Sequence, residues 1–237
     1  MKAFILALQF LTRFYIPIQV DFSDKNLRHS LFFFPWVGLL MGYLLTIPFR
    51  IISKQEIAAL LVLILWIAFT GGMHLDGLSD MADGFFSNKE KDKILEIMKD
   101  SRVGAFGVIS LILILLSKYV LLSQASLTFY SLPGVLAGAR FANSLIIGTF
   151  PPARPDGMGR MLQKTKPLPY ILVSGILLLV YLFFMDRKLL LVLLVQVLVV
   201  GITSFISLKK IDGVTGDNYG ANVELAEAFG LLVLGLV

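Results

Sequence analysis

The stretch Leu168-Pro-Tyr-Ile-Leu-Val-Ser-Gly-Ile-Leu-Leu-Leu-Val-Tyr-Leu-Phe-Phe-Met185 contains no charged side chain. A helix needs about 20 predominantly apolar residues to cross the hydrocarbon core of a bilayer, so this stretch predicts a membrane-spanning helix. Similar apolar runs recur along the chain, and the sequence therefore predicts an all-α, polytopic transmembrane helix bundle. The predicted spans are Leu31–Phe49, Ile57–Met73, Val103–Gln124, Leu127–Phe150, Leu168–Met185 and Leu189–Leu208.

The composition indicates the same environment. Hydrophobic residues make up 57% of the 237 residues and charged residues only 16%, whereas soluble domains average about 25% charged residues. A water-soluble globule is therefore not expected, and the formal net charge of +5 is attributed to membrane topology rather than to a nucleic-acid partner. The chain has no cysteine, so any metal ion must be bound by oxygen or imidazole ligands.

The two ends of the chain contain shorter or interrupted apolar runs. Residues 1–17 begin with Lys2 and an apolar run that Arg13 interrupts, with no small-residue cleavage site after it. We expect this segment to be retained, either crossing the membrane or lying at its interface. The run Leu225–Val237 has 13 residues, which is short for a perpendicular crossing and fits a re-entrant or packed helix. The sequence predicts one integral membrane domain, residues 1–237, with about six to eight membrane helices.

The charges of the connecting loops predict the orientation of the bundle. If all six predicted spans cross, the loops at residues 19–30, 74–102, 151–167 and 209–223 lie on one side. These loops carry many more lysines and arginines than the opposite ones, and such residues are enriched in cytoplasmic loops. This side is therefore predicted to be cytoplasmic and to hold an active-site cleft. Its basic residues are Lys25, Arg28, Lys89, Lys91, Lys93, Lys99, Arg102, Arg154, Arg160, Lys164, Lys166, Lys209 and Lys210, against Arg50, Lys54, Arg187 and Lys188 opposite.

A basic segment in the second of these loops, Asn88–Lys99, has Ile94, Leu95 and Met98 at helical spacing among charged residues. This pattern is typical of an amphipathic helix on a membrane surface, where lysines face head groups and water. Membrane lipid is therefore an expected partner of the chain. The sequence leaves the oligomeric state open, and a homo-oligomer is compatible with it.

The most informative polar stretch is Gly71-Gly-Met-His-Leu-Asp-Gly-Leu-Ser-Asp-Met-Ala-Asp-Gly84. It places Asp76, Asp80 and Asp83 at positions i, i+4 and i+7, which fall within about 60° of one another on a helix. Three carboxylates on one face at a membrane boundary repel one another and are costly to desolvate without compensation. Oxygen ligands favour Mg²⁺ or Mn²⁺. We therefore predict that these aspartates bind Mg²⁺ for phosphoryl transfer.

The same motif leaves two alternatives open. A helix end that simply enters water would also carry acidic residues, although the shared face and the adjoining apolar span favour the metal site. His74 is a candidate metal ligand, proton-transfer group or hydrogen-bonding residue at the helix end. The predicted catalytic residues are Asp76, Asp80, Asp83 and His74.

Charged residues at or inside two further spans are predicted to reach the same site. Asp100 and Arg102 precede the span Val103–Gln124, where Arg102 would meet a phosphate near a helix N-terminus. Arg140 lies inside a predicted span, with Asn143 one turn away, and a guanidinium there needs an anionic partner or a wet cavity. The aspartate row and a substrate pyrophosphate both fit as that partner. All four residues are predicted to bind substrate.

Two glycine-containing loops on the same side complete the predicted site. Arginines in the loop at residues 151–167 can recognise phosphate, although ordinary membrane-surface turns would explain them equally well. The polar groups that follow residue 212 exceed what a turn requires. The predicted substrate-binding residues of these loops are Arg154, Arg160, Asp217, Asn222 and Glu224.

Taken together, these segments resemble the cobalamin synthase family, also called the adenosylcobinamide-GDP ribazoletransferase family. Their order and co-occurrence are more specific than any single motif, and they extend along nearly the whole chain. One departure is Asp212, which stands where a further glycine is expected and has no role derived from the family. The segments are Phe10-Leu-Thr-Arg-Phe14, residues 74–84, Asp100-Ser-Arg-Val-Gly-Ala-Phe-Gly107, Ala153-Arg-Pro-Asp-Gly-Met-Gly159 and Gly213-Val-Thr-Gly-Asp217.

The resemblance implies the last assembly step of adenosylcobalamin. In that step α-ribazole or its 5′-phosphate attacks the cobinamide-linked phosphate of adenosylcobinamide-GDP, and GMP leaves. The resemblance also implies Mg²⁺ dependence and a location in the bacterial inner membrane, with the active site facing the cytoplasm. The expected partners are these two small-molecule substrates, with no nucleic acid.

Two other functions are weaker alternatives. A CDP-alcohol phosphotransferase also sets aspartates on membrane helices, but its pattern Asp-x-x-Asp-Gly-x-x-Ala-Arg is not matched around Asp76 and Gly77. A cation or metabolite transporter would place charges near the membrane midplane and contain repeated halves. The sequence has no internal repeat, and its polar segments concentrate on one predicted side.

Overall fold

The computed structural model describes the backbone of residues 1–237 and every side chain except that of Met158. Along this backbone, the extended pairing found is an isolated bridge between Pro152 and Val214, and the remaining regular structure is helical. The predicted all-α fold is confirmed. The helices are α1 (Lys2–Leu11), α2 (Asp24–Ile51), α3 (Gln55–Thr70), α4 (Met73–Phe86), α5 (Lys91–Ile97), α6 (Ala105–Gln124), α7 (Ser131–Thr149), α8 (Met158–Lys164), α9 (Leu168–Met185), α10 (Lys188–Ile211) and α11 (Gly216–Leu236).

Five helices are long and apolar enough to cross a membrane: α2, α6, α9, α10 and α11. The number rises to six if α3 and α4 are counted as one bent span. The protein is therefore a polytopic membrane protein, and its five or six candidate spans lie at or just below the lower limit of the predicted six to eight. The N-terminal helix α1 has 10 residues and is about 15 Å long, which is too short to cross.

Three predicted segments differ from the structure. The predicted span Ile57–Met73 forms α3, which ends at Thr70 and counts as a span only together with α4. The last helix is not the predicted 13-residue run, because α11 already begins at Gly216, where Thr215 and Asn218 form a capping box. The predicted span Leu127–Phe150 forms α7, which is not among the five apolar helices. Almost all of α7 is buried by other helices, so its neighbours are protein side chains rather than lipid and polar residues are tolerated in it.

The buried helix α7 forms the centre of the bundle and packs against α2, α9, α10 and α11. Its closest approach is to α2, where a Cβ added at Gly38 would lie 2.6 Å from the carbonyl oxygen of Leu136. A Cβ at Gly42, one turn further on, would overlap the backbone of Pro133. Small residues on α2 therefore let the two backbones pack directly, as is common between membrane helices.

The chain turns by 86° between α3 and α4. Gly71 and Gly72 make this turn with φ values of 62° and 71°, in the left-handed region that glycine adopts without steric cost. The turn lets α4 leave the direction of α3 and pack against α6 and α11. All three aspartates of the acidic motif lie on α4, as the spacing predicts.

The connections between helices gather at two ends of the bundle. At one end, the Gln55 Nε2 donates to the carbonyl oxygen of Ala125 at 2.9 Å, which joins the α2–α3 and α6–α7 connections. At the other end, the bridge between Pro152 and Val214 joins the segments before α8 and α11. The acidic motif lies near this second end, so the loops predicted to share one side are brought together.

The short helix α5 confirms the predicted amphipathic segment. Ile94 and Met98 are buried, and they pack with Phe85 of α4 and Ile211 of α10. The charged residues of α5 remain largely exposed. The segment therefore packs its apolar face against the end of the bundle and presents its lysines outward.

Candidate active site

The acidic face of α4 meets the first turns of α11. A Cβ added at Gly77 would lie 2.7 Å from the carbonyl oxygen of Asp217, and one at Gly220 would lie 3.1 Å from that of His74. A larger side chain at Gly77 would push the two helices apart. This contact brings Asp217, predicted from a separate part of the sequence, beside the aspartates of α4.

Four carboxylates share this region. The Asp80 side chain is half-buried and lies within electrostatic range of Asp76, Asp83 and Asp217. One opposing cation is Arg154, whose Nη2 lies 3.5 Å from Oδ2 of Asp217, and Arg160 lines the cavity beside Asp217. Four carboxylates beside two guanidinium groups carry an excess of negative charge. We call Asp76, Asp80, Asp83 and Asp217 the acidic site.

Asp83 has a structural role that its sequence position does not reveal. Its Oδ2 accepts the N–H of Gly104 at 2.7 Å, and its Oδ1 accepts the N–H of Gly107 at 2.8 Å. The carboxylate thereby caps the N-terminus of α6, where negative charge also interacts favourably with the helix dipole. Each oxygen retains another lone pair, so a metal-ligand role for Asp83 stays a prediction.

Asp100 and Arg102 pair with each other in the segment between α5 and α6. The Arg102 Nη2 lies 2.6 Å from Asp100 Oδ2, and Nε donates to the same carboxylate. The hydrogen bonds from Arg102 lower the pKa of Asp100 to about 2. The pair lies just before Gly104, at the edge of the acidic site, and its predicted contact with substrate remains untested.

The two glycine-containing loops enclose a small cavity of about 170 Å³. Its lining includes Arg154 from the loop before α8, Arg160 from α8, and Thr215 and Asp217 from the start of α11. The structure thus brings together both predicted arginines and one aspartate of the acidic site. This arrangement of two guanidinium groups beside carboxylates is suited to a phosphate that is also bound to a cation.

The prediction that Arg140 pairs with the aspartate row is wrong. Arg140 is fully buried in α7 and forms an ion pair with Glu227 of α11. Its guanidinium has no exposed surface that could contact a pyrophosphate. Asn143, one turn further along α7, is also buried, at 4% exposure.

Two predicted ligands on α11 also face other helices. Glu224 is buried and pairs with Lys118 of α6. Asn222 accepts a hydrogen bond from Thr203 and donates one to Ser204 Oγ at 3.0 Å, both on α10. The sequence predicts a loop over residues 209–223, whereas the capping box at Thr215 starts α11 earlier and turns Asn222 and Glu224 into the bundle. Their predicted role in substrate binding has no support from these contacts.

Lys118 and Glu227 are charged residues that the sequence reasoning missed. A signal was present, because Lys118 is the one charged residue within the predicted span Val103–Gln124 and Glu227 lies in the apolar C-terminal run. Charges inside membrane helices are expensive and almost always have partners. Their presence predicts a partner but does not identify it.

His74 lies in the first turn of α4, next to Gly220 of α11. Its side chain is buried, and its Nδ1 has no hydrogen-bond partner among the described side chains. A buried nitrogen of this kind is available to a water or a substrate group. Its predicted role in catalysis remains untested.

The donor set fits a hard divalent cation. Asp76, Asp80 and Asp217 offer oxygen ligands from two helices in contact, and Mg²⁺ commonly binds one or two carboxylates together with water and phosphate oxygens. Among the described side chains, no three His, Asp or Glu residues form a ready-made metal cluster. The arrangement is therefore better matched to an ion that completes its coordination with a phosphate than to one held by protein alone.

Fold and site together define a polytopic all-α membrane protein with an acidic site at one end of its bundle. The model of the family described as cobalamin-5-phosphate synthase matches residues 3–235. This chain is 35% identical to the adenosylcobinamide-GDP ribazoletransferase of Treponema denticola, over 96% of this chain and 95% of the relative. It is also 35% identical to the adenosylcobinamide-GDP ribazoletransferase of Acetivibrio thermocellus, over 100% and 98% of the two chains. No solved structure matches it. The chain belongs to the cobalamin-5-phosphate synthase family.

Proposed function

We propose that this chain is an adenosylcobinamide-GDP ribazoletransferase that performs the final assembly step of cobalamin. Family membership over nearly the whole chain defines the reaction. The observation that supports the location of the site is the contact of α4 with α11 at Gly77 and Asp217. That contact gathers carboxylates from separate parts of the sequence at one end of the bundle.

The proposed reaction replaces the phosphoanhydride bond to GMP with a phosphate ester bond to the ribose. A ribose hydroxyl oxygen of α-ribazole, or of its 5′-phosphate, forms a bond to the cobinamide-linked phosphorus of adenosylcobinamide-GDP. The bond from that phosphorus to the bridging oxygen breaks, and GMP leaves with the oxygen. The hydroxyl proton passes to a base. In phosphoryl transfer the protein contributes mainly positioning and electrostatic stabilisation.

The residues divide between these tasks. Asp76, Asp80 and Asp217 would hold Mg²⁺, which when bound neutralises pyrophosphate oxygens and the charge of the departing phosphate. Arg154 and Arg160 would orient phosphate groups in the adjoining cavity. The proton acceptor is either an aspartate of the acidic site or His74, whose Nδ1 is buried without a partner among the described residues.

We further propose that the acidic site faces the cytoplasm from a bacterial inner membrane. The support is the distribution of basic residues, because the loops at the acidic end carry most of the lysines and arginines and cytoplasmic loops are enriched in them. Nucleotide-linked substrates reach the site from that side. Tags at residue 1 and in the α9–α10 connection would test the orientation. In right-side-out vesicles, added protease should cut the tag in the α9–α10 connection and leave the tag at residue 1 protected.

The reaction is tested with purified protein in lipid nanodiscs, given adenosylcobinamide-GDP and α-ribazole with and without Mg²⁺. We expect release of GMP and formation of cobalamin that require the metal and are lost in Asp80→Ala. Absence of conversion by folded protein would contradict the proposed activity. Conversion without added metal after chelation, or by Asp80→Ala at the normal rate, would contradict the proposed site instead.

A further inference from the structure

A second group of charged residues lies inside the bundle. The Lys118 Nζ on α6 donates to Glu224 Oε2 of α11 at 2.6 Å and also to Glu227, which in turn pairs with Arg140 of α7. Each of the four residues is at most 3% exposed. Two carboxylates and two cations make the group neutral overall. We call these four residues the buried charge network.

The network ties together helices that surround the acidic site. Its direct ion pairs join α6, α7 and α11, and the Lys118 ammonium also lies 4.5 Å from the ring centroid of Trp66 on α3. A charge buried without its partner is strongly unfavourable. Sliding or rotating one of these helices would therefore separate buried charges from the partners they have in this arrangement, so the network favours a single register.

The network and the acidic site share the helix α11. Glu224 follows Asp217 by seven residues, which on a helix is two turns, about 10 Å, on nearly the same face. An interaction that fixes the position and rotation of α11 at Glu224 therefore also fixes the position of Asp217. The register of α11 determines which of its side chains lies opposite Gly77 of α4.

The network reaches α4 by two further routes. Lys118 follows Gly107 by eleven residues, about three turns on the same face of α6, and the Gly107 N–H is bound by Asp83 of α4. His74, at the other end of α4, lies within electrostatic range of Arg140, Glu227 and Lys118. The end of α4 at Asp83 is thus linked to the buried charge network through α6, and the end at His74 lies within electrostatic range of the network.

We propose that the buried charge network is a positioning device that sets the register of α11 against α4 and so places Asp217 beside Asp76 and Asp80. Lys118 and Glu227 are positioning residues for the acidic site, although neither side chain contacts it. The effect on turnover rests on the proposed function. The effect on helix position does not.

Helix position can be measured without turnover because the chain has no cysteine. Spin labels are attached to the double variant Gly216→Cys/Phe86→Cys, which marks the start of α11 and the end of α4. Gly216 is exposed and a Cβ there meets nothing within 4 Å, while Phe86 is 63% exposed. Double electron–electron resonance in nanodiscs then reports the distance between the two helices.

The decisive comparison is between a variant that lacks one charge of the network and a variant that lacks one positive and one negative charge. Lys118→Met leaves Glu224 and Glu227 with only Arg140, and we expect a broadened or shifted distance and at least a 10-fold loss of turnover in label-free protein. Lys118→Met/Glu224→Gln keeps the neutral Arg140–Glu227 pair, and we expect it to regain the original distance and turnover to within about 3-fold. The matched control is Lys93→Met/Glu96→Gln, an exposed pair on α5, which should change neither quantity.

Several outcomes would overturn the proposal. One is a Lys118→Met protein with an unchanged distance, even if less of it folds, since the network would then support only stability. Another is a displaced variant that keeps the turnover of the original protein, since the position of α11 would then not matter to the acidic site. If Lys118→Met yields no folded protein, Glu224→Gln replaces it, and an unchanged distance there would be equally contradictory. If Lys118→Met displaces α11 but the original protein itself makes no cobalamin, the proposed function is rejected and the positioning role is retained.

Discussion

The acidic site and the buried charge network both use carboxylates of α11, two turns apart, but they balance charge differently. In the network each carboxylate has a cation within the protein. In the acidic site the four carboxylates have Arg154 and Arg160 beside them and the N-terminus of α6 bound to Asp83, which leaves an excess of negative charge for a ligand to balance. The comparison indicates that a buried, paired carboxylate serves the structure, whereas a half-exposed, unbalanced one is available to a ligand. Removing a charge should therefore have opposite effects on stability in the two regions.

The largest effect is expected for Asp80→Asn. It removes a charge from the acidic site without changing the shape of the side chain, so turnover should fall by about 10³-fold, as when a key electrostatic group is lost. Stability without metal should be unchanged or higher, because repulsion from Asp76, Asp83 and Asp217 is relieved. Initial rates of GMP release and thermal unfolding in detergent measure both. A rate within 3-fold of the original would contradict the claim that the acidic site, unlike the network, serves catalysis.

Removing one carboxylate charge from the buried charge network should lower stability, unlike its removal from the acidic site. Glu227→Gln leaves Arg140 buried without its carboxylate, so we expect a loss of about 3 kcal/mol in the free energy of unfolding. Denaturant titration in mixed micelles measures it. Lys93→Met/Glu96→Gln is the control, and an exposed pair of this kind should change stability by less than about 0.5 kcal/mol. Equal effects of the buried and exposed changes would show that the network does not stabilise the fold.

The contact between the two regions can be tested at Gly77. A Cβ there would lie 2.7 Å from the carbonyl oxygen of Asp217, so Gly77→Ala should displace α11 from α4 and reduce turnover at least about 10-fold. Gly201→Ala is a matched helical control, because a Cβ at Gly201 meets nothing within 4 Å. Rates of GMP release by Gly77→Ala and Gly201→Ala in nanodiscs test this prediction. Equal rates would mean that the close approach is not needed for catalysis.

How far these regions could be predicted depends on whether the signal is local. The spacing of Asp76, Asp80 and Asp83 was sufficient to predict a shared helix face, and apolar run length was sufficient to predict most spans. The partner of Arg140 was not predictable, because an intramembrane arginine demands an anion but its choice depends on packing between distant segments. The capping box at Thr215 uses Asn218 in place of the usual Glu or Gln, so the common sequence pattern does not match it, and the early start of α11 was not predicted.

The smallest effect is expected at Asp212, outside both regions. This residue ends α10 in the left-handed conformation, with a φ of 59°, which explains why a glycine is expected there. Asp212→Gly should stabilise the protein by up to about 1 kcal/mol and leave turnover unchanged, since the exposed pair with Lys91 contributes little. Thermal unfolding checks this prediction. A clear loss of stability would assign that surface pair a larger role.

The central claim, that the acidic site completes its charge balance with a divalent cation and a phosphate, is tested most directly by metal binding. Electron paramagnetic resonance can follow Mn²⁺ added to protein in nanodiscs, with and without adenosylcobinamide-GDP. The account predicts tighter Mn²⁺ binding when the nucleotide substrate is present, at least 10-fold weaker binding in Asp80→Asn, and unchanged binding in Lys93→Met/Glu96→Gln. Equal Mn²⁺ affinity in the original protein and in Asp80→Asn would contradict it.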